Sequence, residues 1–128
     1  MIDHMGITVS DIEKSKAFYS RALGALGYVL CKNGPRAVSF GVREGHGRST
    51  DPGGDFWLSE GPLMTPRVHF AFNAASRADV DAFFAAAMAA EGVENGAPGL
   101  RAHYHPHYYA AFVLDPDGYN IEAVCHVG

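Results

Sequence analysis

The amino-acid sequence predicts an α+β fold of two βαβββ modules in tandem, forming a curved mixed sheet around a cleft. Three observations lead there. The first is an internal repeat at an offset of 65. His4 falls on His69, Ile7 on Phe72, Ala17-Phe18-Tyr19 on Ala82-Phe83-Phe84, Leu23 on Met88 and Gly27 on Gly92. Self-similarity of this kind marks one supersecondary unit used twice. The second is an apolar stripe at helical spacing in each half, flanked by β-branched segments. The third is a pair of turn motifs, Asp51-Pro52-Gly53 and Asp115-Pro116-Asp117-Gly118, matched with one residue of slippage. One domain is expected over 1–128, with module one at about 1–62 and module two at about 66–126.

Each element has a local reason. Met1 to Val9 alternates weakly and becomes β-branched, which predicts a strand. Ser10-Asp11-Ile12-Glu13 has the capping-box pattern, so a helix is expected from there to about Leu23. Phe18, Tyr19, Ala22, Leu23 and Leu26 form its apolar stripe, and Gly24 and Gly27 are stop signals. Strands follow near 27–32, 36–42 and 55–59, with a glycine-rich connection from Gly41 to Gly54. The second half repeats the order. A strand runs from Arg67 to Asn73, and Ser76-Arg77-Ala78-Asp79 is again a capping box. Val80, Phe83, Phe84 and Ala87 follow at i, i+3, i+4 and i+7 on a helix ending near Gly92. Strands near 93–97, 107–114 and 119–125 complete it.

Composition narrows the function classes. The chain has 128 residues, 48% of them hydrophobic, with a net charge of −4. A chain of this length buries a core large enough to need no disulfide or structural zinc. The acidic balance gives no basic footprint for nucleic acid. Cys31 and Cys125 form no disulfide framework and have no metal-ligand spacing. The longest apolar run, Ala82 to Ala90, is nine residues, against about 20 for a bilayer span. The start, Met1-Ile2-Asp3-His4, has no signal-peptide pattern. No membrane association and a cytoplasmic location are the expectation.

The chemistry-bearing residues stand out against this background. His4 and His69 hold one position in the two repeats, and Glu122 lies in the last strand. A carboxylate among apolar neighbours in a strand is costly to bury unless it is paired or bound to a cation. Two imidazoles and a carboxylate make a facial triad that leaves coordination positions open, suited to Fe, Mn, Ni or Zn. The plainer alternative is that the histidines are exposed or hydrogen-bonded and Glu122 sits on a solvated face. His103, His105 and His107 lie two apart, interleaved with Tyr104, Tyr108 and Tyr109. His105 and Tyr108 read either as a proton-transfer histidine and a substrate-binding phenol at a cleft edge, or as a polar entry to a strand. His103 and His107 fit the polar entry, and His46 and His126 read as solvent-exposed. The Gly41–Gly54 stretch lacks the Gly-Lys-Ser/Thr of a phosphate loop, and no Gly-x-Ser-x-Gly elbow is present.

Three segments carry a family resemblance. His4-Met5-Gly6-Ile7-Thr8-Val9-Ser10-Asp11 with Ser15-Lys16-Ala17-Phe18-Tyr19 resembles the opening of vicinal oxygen chelate proteins. Val68-His69-Phe70-Ala71-Phe72 resembles the start of their second module, and Asp115-Pro116-Asp117-Gly118-Tyr119-Asn120-Ile121-Glu122 their ending. The resemblance to this glyoxalase, bleomycin-resistance and extradiol-dioxygenase superfamily implies a divalent metal on His4, His69 and Glu122. It implies dioxygenase-like or lyase-like chemistry on a small-molecule substrate whose oxygens bind the metal. It further implies a homodimer. A fourth ligand, as in glyoxalase I, would fall at Trp57, flanked by Phe56 and Leu58. None of these replaces a carboxylate, so a four-ligand glyoxalase I is not expected; Trp57, with Phe56 and Leu58, suits either an apolar wall for a substrate ring or an interface. The alternative is a non-catalytic drug- or toxin-binding protein using the same cleft.

Overall fold

The computed structural model describes residues 1–128. In order, the elements are β1 (Met5–Val9), α1 (Ile12–Gly24), β2 (Tyr28–Asn33), β3 (Ala37–Val42) and β4 (Phe56–Glu60). Then come β5 (His69–Asn73), α2 (Arg77–Ala89), β6 (Val93–Leu100), β7 (Tyr109–Leu114) and β8 (Asn120–Cys125). Each half is βαβββ. Each forms its own four-stranded mixed sheet, ordered β1-β4-β3-β2 and β5-β8-β7-β6.

The repeat holds at the level of register. In the parallel pair β1–β4, Met5 faces Phe56, Gly6 faces Trp57 and Ile7 faces Leu58. In β5–β8, Phe70 faces Ile121, Ala71 faces Glu122 and Phe72 faces Ala123. Every one of these residues is displaced by the same 65 positions. So are the first and last residues of the two helices. The two turns also correspond: Gly54 N–H donates to Asp51 C=O at 2.9 Å and Gly118 N–H to Asp115 C=O at 3.0 Å. Both glycines sit at positive φ, 87° and 84°.

Local capping differs between the modules. Ser76 accepts from Asp79 N–H at 3.1 Å, as its capping box predicts. The first helix is capped one residue later than expected, by Asp11, whose carboxylate accepts from Lys14 N–H at 3.1 Å. Ser10 is taken by the other module instead, donating from both its backbone N–H and Oγ to Asp117 in the β7–β8 turn. β1 begins at Met5 because its partner β4 begins at Phe56, which leaves Met1 and Ile2 exposed. β6 runs on to Leu100, through Pro98, where a shorter strand was expected. As the edge strand of its sheet it tolerates a residue without an N–H. Its ladder slips at Gly96 and Gly99.

One core joins the modules through their helix-covered faces. Ile12, Phe18, Tyr19, Ala22 and Leu23 of α1 and Val80, Phe83 and Ala87 of α2 are buried in it with the facing strand residues of both sheets. Phe56 of β4 meets Phe70 and Phe72 of β5 at ring-centroid distances of 5.4 and 5.2 Å. Edge and tilted contacts of this kind are the favoured aromatic geometries. Tyr119 O–H donates to Thr8 C=O at 2.6 Å and accepts from Met64 N–H at 3.0 Å, which pins the connecting segment. The opposite, open faces of the sheets carry Trp57 and Glu122 respectively.

Candidate metal and ligand site

Along β8, Ile121, Ala123 and Cys125 point into the core. Alternation puts Asn120, Glu122 and Val124 on the open face. Glu122 is only 2% exposed. A carboxylate so placed needs compensation, and two side chains provide it. Tyr108 O–H donates to Oε1 at 2.5 Å, and Nε2 of His69 stands 3.1 Å from Oε2. Burial, then the hydrogen bond to Glu122 and its charge, push the Tyr108 phenol well above its ordinary pKa, with Arg101 opposing. Tyr108 is therefore a protonated donor at neutral pH.

The His69 ring shows what the pair is suited to hold. Its Nδ1 lies 2.8 Å from the Asn120 carbonyl oxygen, an acceptor only. Nδ1 must carry the proton, and in the neutral ring Nε2 is then the nitrogen that turns a lone pair toward the carboxylate. Two acceptors facing each other require a proton or a cation between them. A histidine that donates from one nitrogen to a backbone carbonyl and aims the other at a carboxylate has the outer-shell arrangement of metal-ligating histidines. The buried Oδ1 of Asn120, on the same strand face, has no hydrogen-bond partner. His69 and Glu122 are thus two donors of the types that ligate a divalent cation.

His4 lies elsewhere. It precedes β1, its Nδ1 is 2.7 Å from Asp3 Oδ1, and it lines a shallow concavity of about 350 Å³ with Asp51, Trp57 and Ser59 on module one. Within one chain no three His, Cys, Asp or Glu side chains meet in metal-holding geometry. The fold thus unites His69, Glu122 and Tyr108 and leaves His4 on the other module.

His105 does not touch Glu122. Its ring packs edge-on against Tyr108 at 5.4 Å, and its Nε2 is 2.9 Å from Nδ1 of His126. Because Nδ1 of His105 accepts from His107 N–H at 3.1 Å, Nε2 carries the proton and donates to His126. His126 in turn meets the Tyr108 ring edge-on at 5.3 Å. His126 is exposed, as expected, and makes these contacts at the surface. His126 follows directly on β8, which ends at Cys125. Arg101 was missed; it lies 5.3 Å over the Phe112 ring, which tilts against His69 at 6.0 Å. His46 is exposed, as expected, and places Nε2 2.7 Å from Asn73 Oδ1, so the glycine-rich loop of module one touches β5.

This architecture is that of a protein of paired βαβββ modules, and comparison with known proteins gives the family. The profile of the Glyoxalase/Bleomycin resistance protein/Dioxygenase superfamily matches residues 1–123. The chain belongs to this superfamily, the vicinal oxygen chelate proteins. No curated protein matches the chain. Among solved structures it is similar to a glyoxalase/bleomycin resistance protein from Albidiferax ferrireducens T118, with 28% identity, a TM-score of 0.75 and 96% of each chain covered. It shares its fold with a family enzyme from Burkholderia phytofirmans PsJN, at 17% identity, TM-score 0.72 and 98% of each chain. It also shares it with a fosfomycin resistance protein of Listeria monocytogenes, a mutant complexed with Mn(II) and a dihydroxypropylphosphonic acid. That match has 17% identity and a TM-score of 0.67, covering 97% of this chain and 88% of the other. No helix is long and apolar enough to cross a membrane.

Proposed function

We propose that the protein is a metal-dependent small-molecule enzyme, dioxygenase-like or lyase-like, with His69 and Glu122 holding a divalent Fe, Mn, Ni or Zn ion. The observation that carries this reading is His69 Nε2 standing 3.1 Å from an oxygen of the buried Glu122 carboxylate, with Nδ1 turned to the Asn120 carbonyl. His4 completes the set from module one of a second copy of the chain, giving a homodimer with shared sites. The Mn(II)-bound fosfomycin resistance relative supports a metal in this fold. When bound, the ion supplies Lewis-acid polarisation of adjacent substrate oxygens. Tyr108 keeps the Glu122 carboxylate oriented and holds its own proton at the phenol oxygen, beside the site. His105 and His126 hold the Tyr108 ring from the side. Trp57, where a fourth carboxylate would stand, excludes the four-ligand arrangement of glyoxalase I.

The alternative reading is a non-catalytic binding protein, favoured by the meeting of only two donors within one chain. Elemental analysis of protein purified without a histidine tag or chelator separates the two. The expected result is about one metal ion per chain, lost in Glu122→Ala with the fold intact by circular dichroism. Metal content unchanged by Glu122→Ala, or no metal after reconstitution, refutes the site.

A further inference from the structure

We propose that the cavity between α1 and the end of α2 binds a small organic anion with an apolar body. It measures about 570 Å³ and shares no residue with the His69–Glu122 pair or with the concavity at His4. Small-molecule sites commonly enclose about 300–1,000 Å³. One wall is α1, where Lys14, Ala17, Phe18 and Arg21 line the cavity. They stand at i, i+3, i+4 and i+7 and so share one face of that helix. The two cations end the row, about 10 Å apart along the axis, with Ala17 and Phe18 between them. The facing wall comes from module two: Ala89, Ala90 and Val93 where α2 turns into β6, and Pro116 in the β7–β8 turn. The backbone shapes this wall. Glu91 turns the chain at φ 71°, and Gly92 then lies so close to α1 that a Cβ there would stand 3.0 Å from Phe18 Cε1. Bare backbone thus meets Phe18, which is buried and floors the space.

The charges of the lining set the class of ligand. Lys14 and Arg21 are exposed, and neither enters an ion pair of the chain. Of the two carboxylates, Asp115 is already committed. Its Oδ2 accepts from Tyr19 O–H at 2.5 Å, and its Oδ1 accepts from the N–H groups of Asp117 and Tyr119, each at 2.9 Å. Glu91 is exposed and enters no ion pair. Two free cations therefore face one free carboxylate across an apolar floor, in a chain whose net charge is −4. A monocarboxylate with a hydrocarbon tail answers both features. The long, flexible stems of Lys14 and Arg21 let both head groups reach one anion, while the tail covers Phe18, Ala89, Ala90 and Val93. A cationic ligand would meet two like charges with only Glu91 in its favour.

The test holds chain length fixed and varies charge. Isotope-labelled full-length protein is titrated with octanoate, octanol and octylammonium, and amide resonances locate the binding. Octanoate should move the amides of Ala17, Arg21, Ala90 and Glu91 saturably. The Glu122 amide and the Trp57 indole N–H should stay in place, with or without Zn(II). Octanoate should bind about three-fold or more tighter than octanol, with octylammonium the weakest. Lys14→Gln combined with Arg21→Gln, both at exposed positions, should bring octanoate down to the affinity of octanol. Removing the opposing carboxylate with Glu91→Gln should tighten octanoate about two-fold. Equal binding of octanoate and octanol, octanoate affinity unchanged in the double variant, or shifts confined to the open sheet faces each overturns the proposal. So does the absence of binding by all three probes. Tightest binding of octylammonium, weakened by Glu91→Gln, overturns it in favour of a cation site.

Discussion

Mixing two inactive variants separates a site shared between copies from one built within a chain. In the proposed twofold dimer each site would take His4 from one protomer and His69 with Glu122 from the other. His4→Ala and Glu122→Ala homodimers then each lack one of three donors at both sites. Loss of even an outer-shell partner of a metal ligand typically costs about 10–100-fold in affinity, so loss of a direct ligand should empty the site at micromolar metal. A mixed dimer is different. One of its sites faces an intact His4 with an intact His69–Glu122 pair, and the other carries both substitutions. The mixed dimer should therefore hold about half the wild-type metal. Random pairing makes about half of all dimers mixed, so a co-expressed population should recover about a quarter. The structural basis is that the two modules share a core through their helix-covered faces, so His4 and Glu122 stand on open faces with no three donors meeting in one chain. The assay is co-expression with two different non-histidine tags, sequential affinity purification and elemental analysis. Mixed dimers as empty as both parents, beside a loaded wild type, would refute sharing.

Three further outcomes follow from the packing. Tyr108→Phe leaves Oε1 of the buried Glu122 without its donor, which should cost about 1–3 kcal/mol in the metal-free protein by denaturant unfolding; an unchanged midpoint would mean that the carboxylate finds another partner. Burial raises the Asp115 pKa above its ordinary value, more than its bonds from Tyr19, Asp117 N–H and Tyr119 N–H lower it. The folded state then binds the proton more tightly than the unfolded one, so this group's contribution falls as pH rises from the ordinary carboxyl value through the raised one. Asp115→Asn should flatten the stability profile above the ordinary carboxyl pKa, and a steeper profile would show that the sign is wrong. Gly54 sits at φ 87° with a hypothetical Cβ 2.3 Å from Phe40 O, whereas Gly45 at φ 80° meets nothing within 4 Å. Gly54→Ala should lose well over the ~1–2 kcal/mol of a left-handed residue, and Gly45→Ala about that amount; equal melting temperatures would contradict the clash.

Much of the fold was legible because it is local or repeated. The 65-residue offset, the two helical stripes, the Ser76 cap and the turn at Asp115 are short-range patterns, and periodicity reports which face of each element is apolar. The His69–Glu122 pair was legible too. Parallel pairing of the first and last strands of a module follows from the βαβββ order, and strand alternation fixes the face. What sequence spacing does not carry is competition between distant groups. Ser10 had a capping partner three residues away, yet Asp117 of the other module took its hydroxyl, and the cap passed to Asp11. The contact of His126 with His105 spans 21 residues and the whole β7–β8 hairpin, a separation that no local period reports. His4 matched His69 by position, but which faces of the sheets share the core is settled by packing. The sequence by itself determined the modules, their helices and the carboxylate that must be compensated. Only the tertiary structure decided that Tyr108 and His69 compensate it while His4 stays apart, because burying aromatic area at Phe56, Phe70 and Phe72 joins the helix-covered faces and turns the other two away from that core.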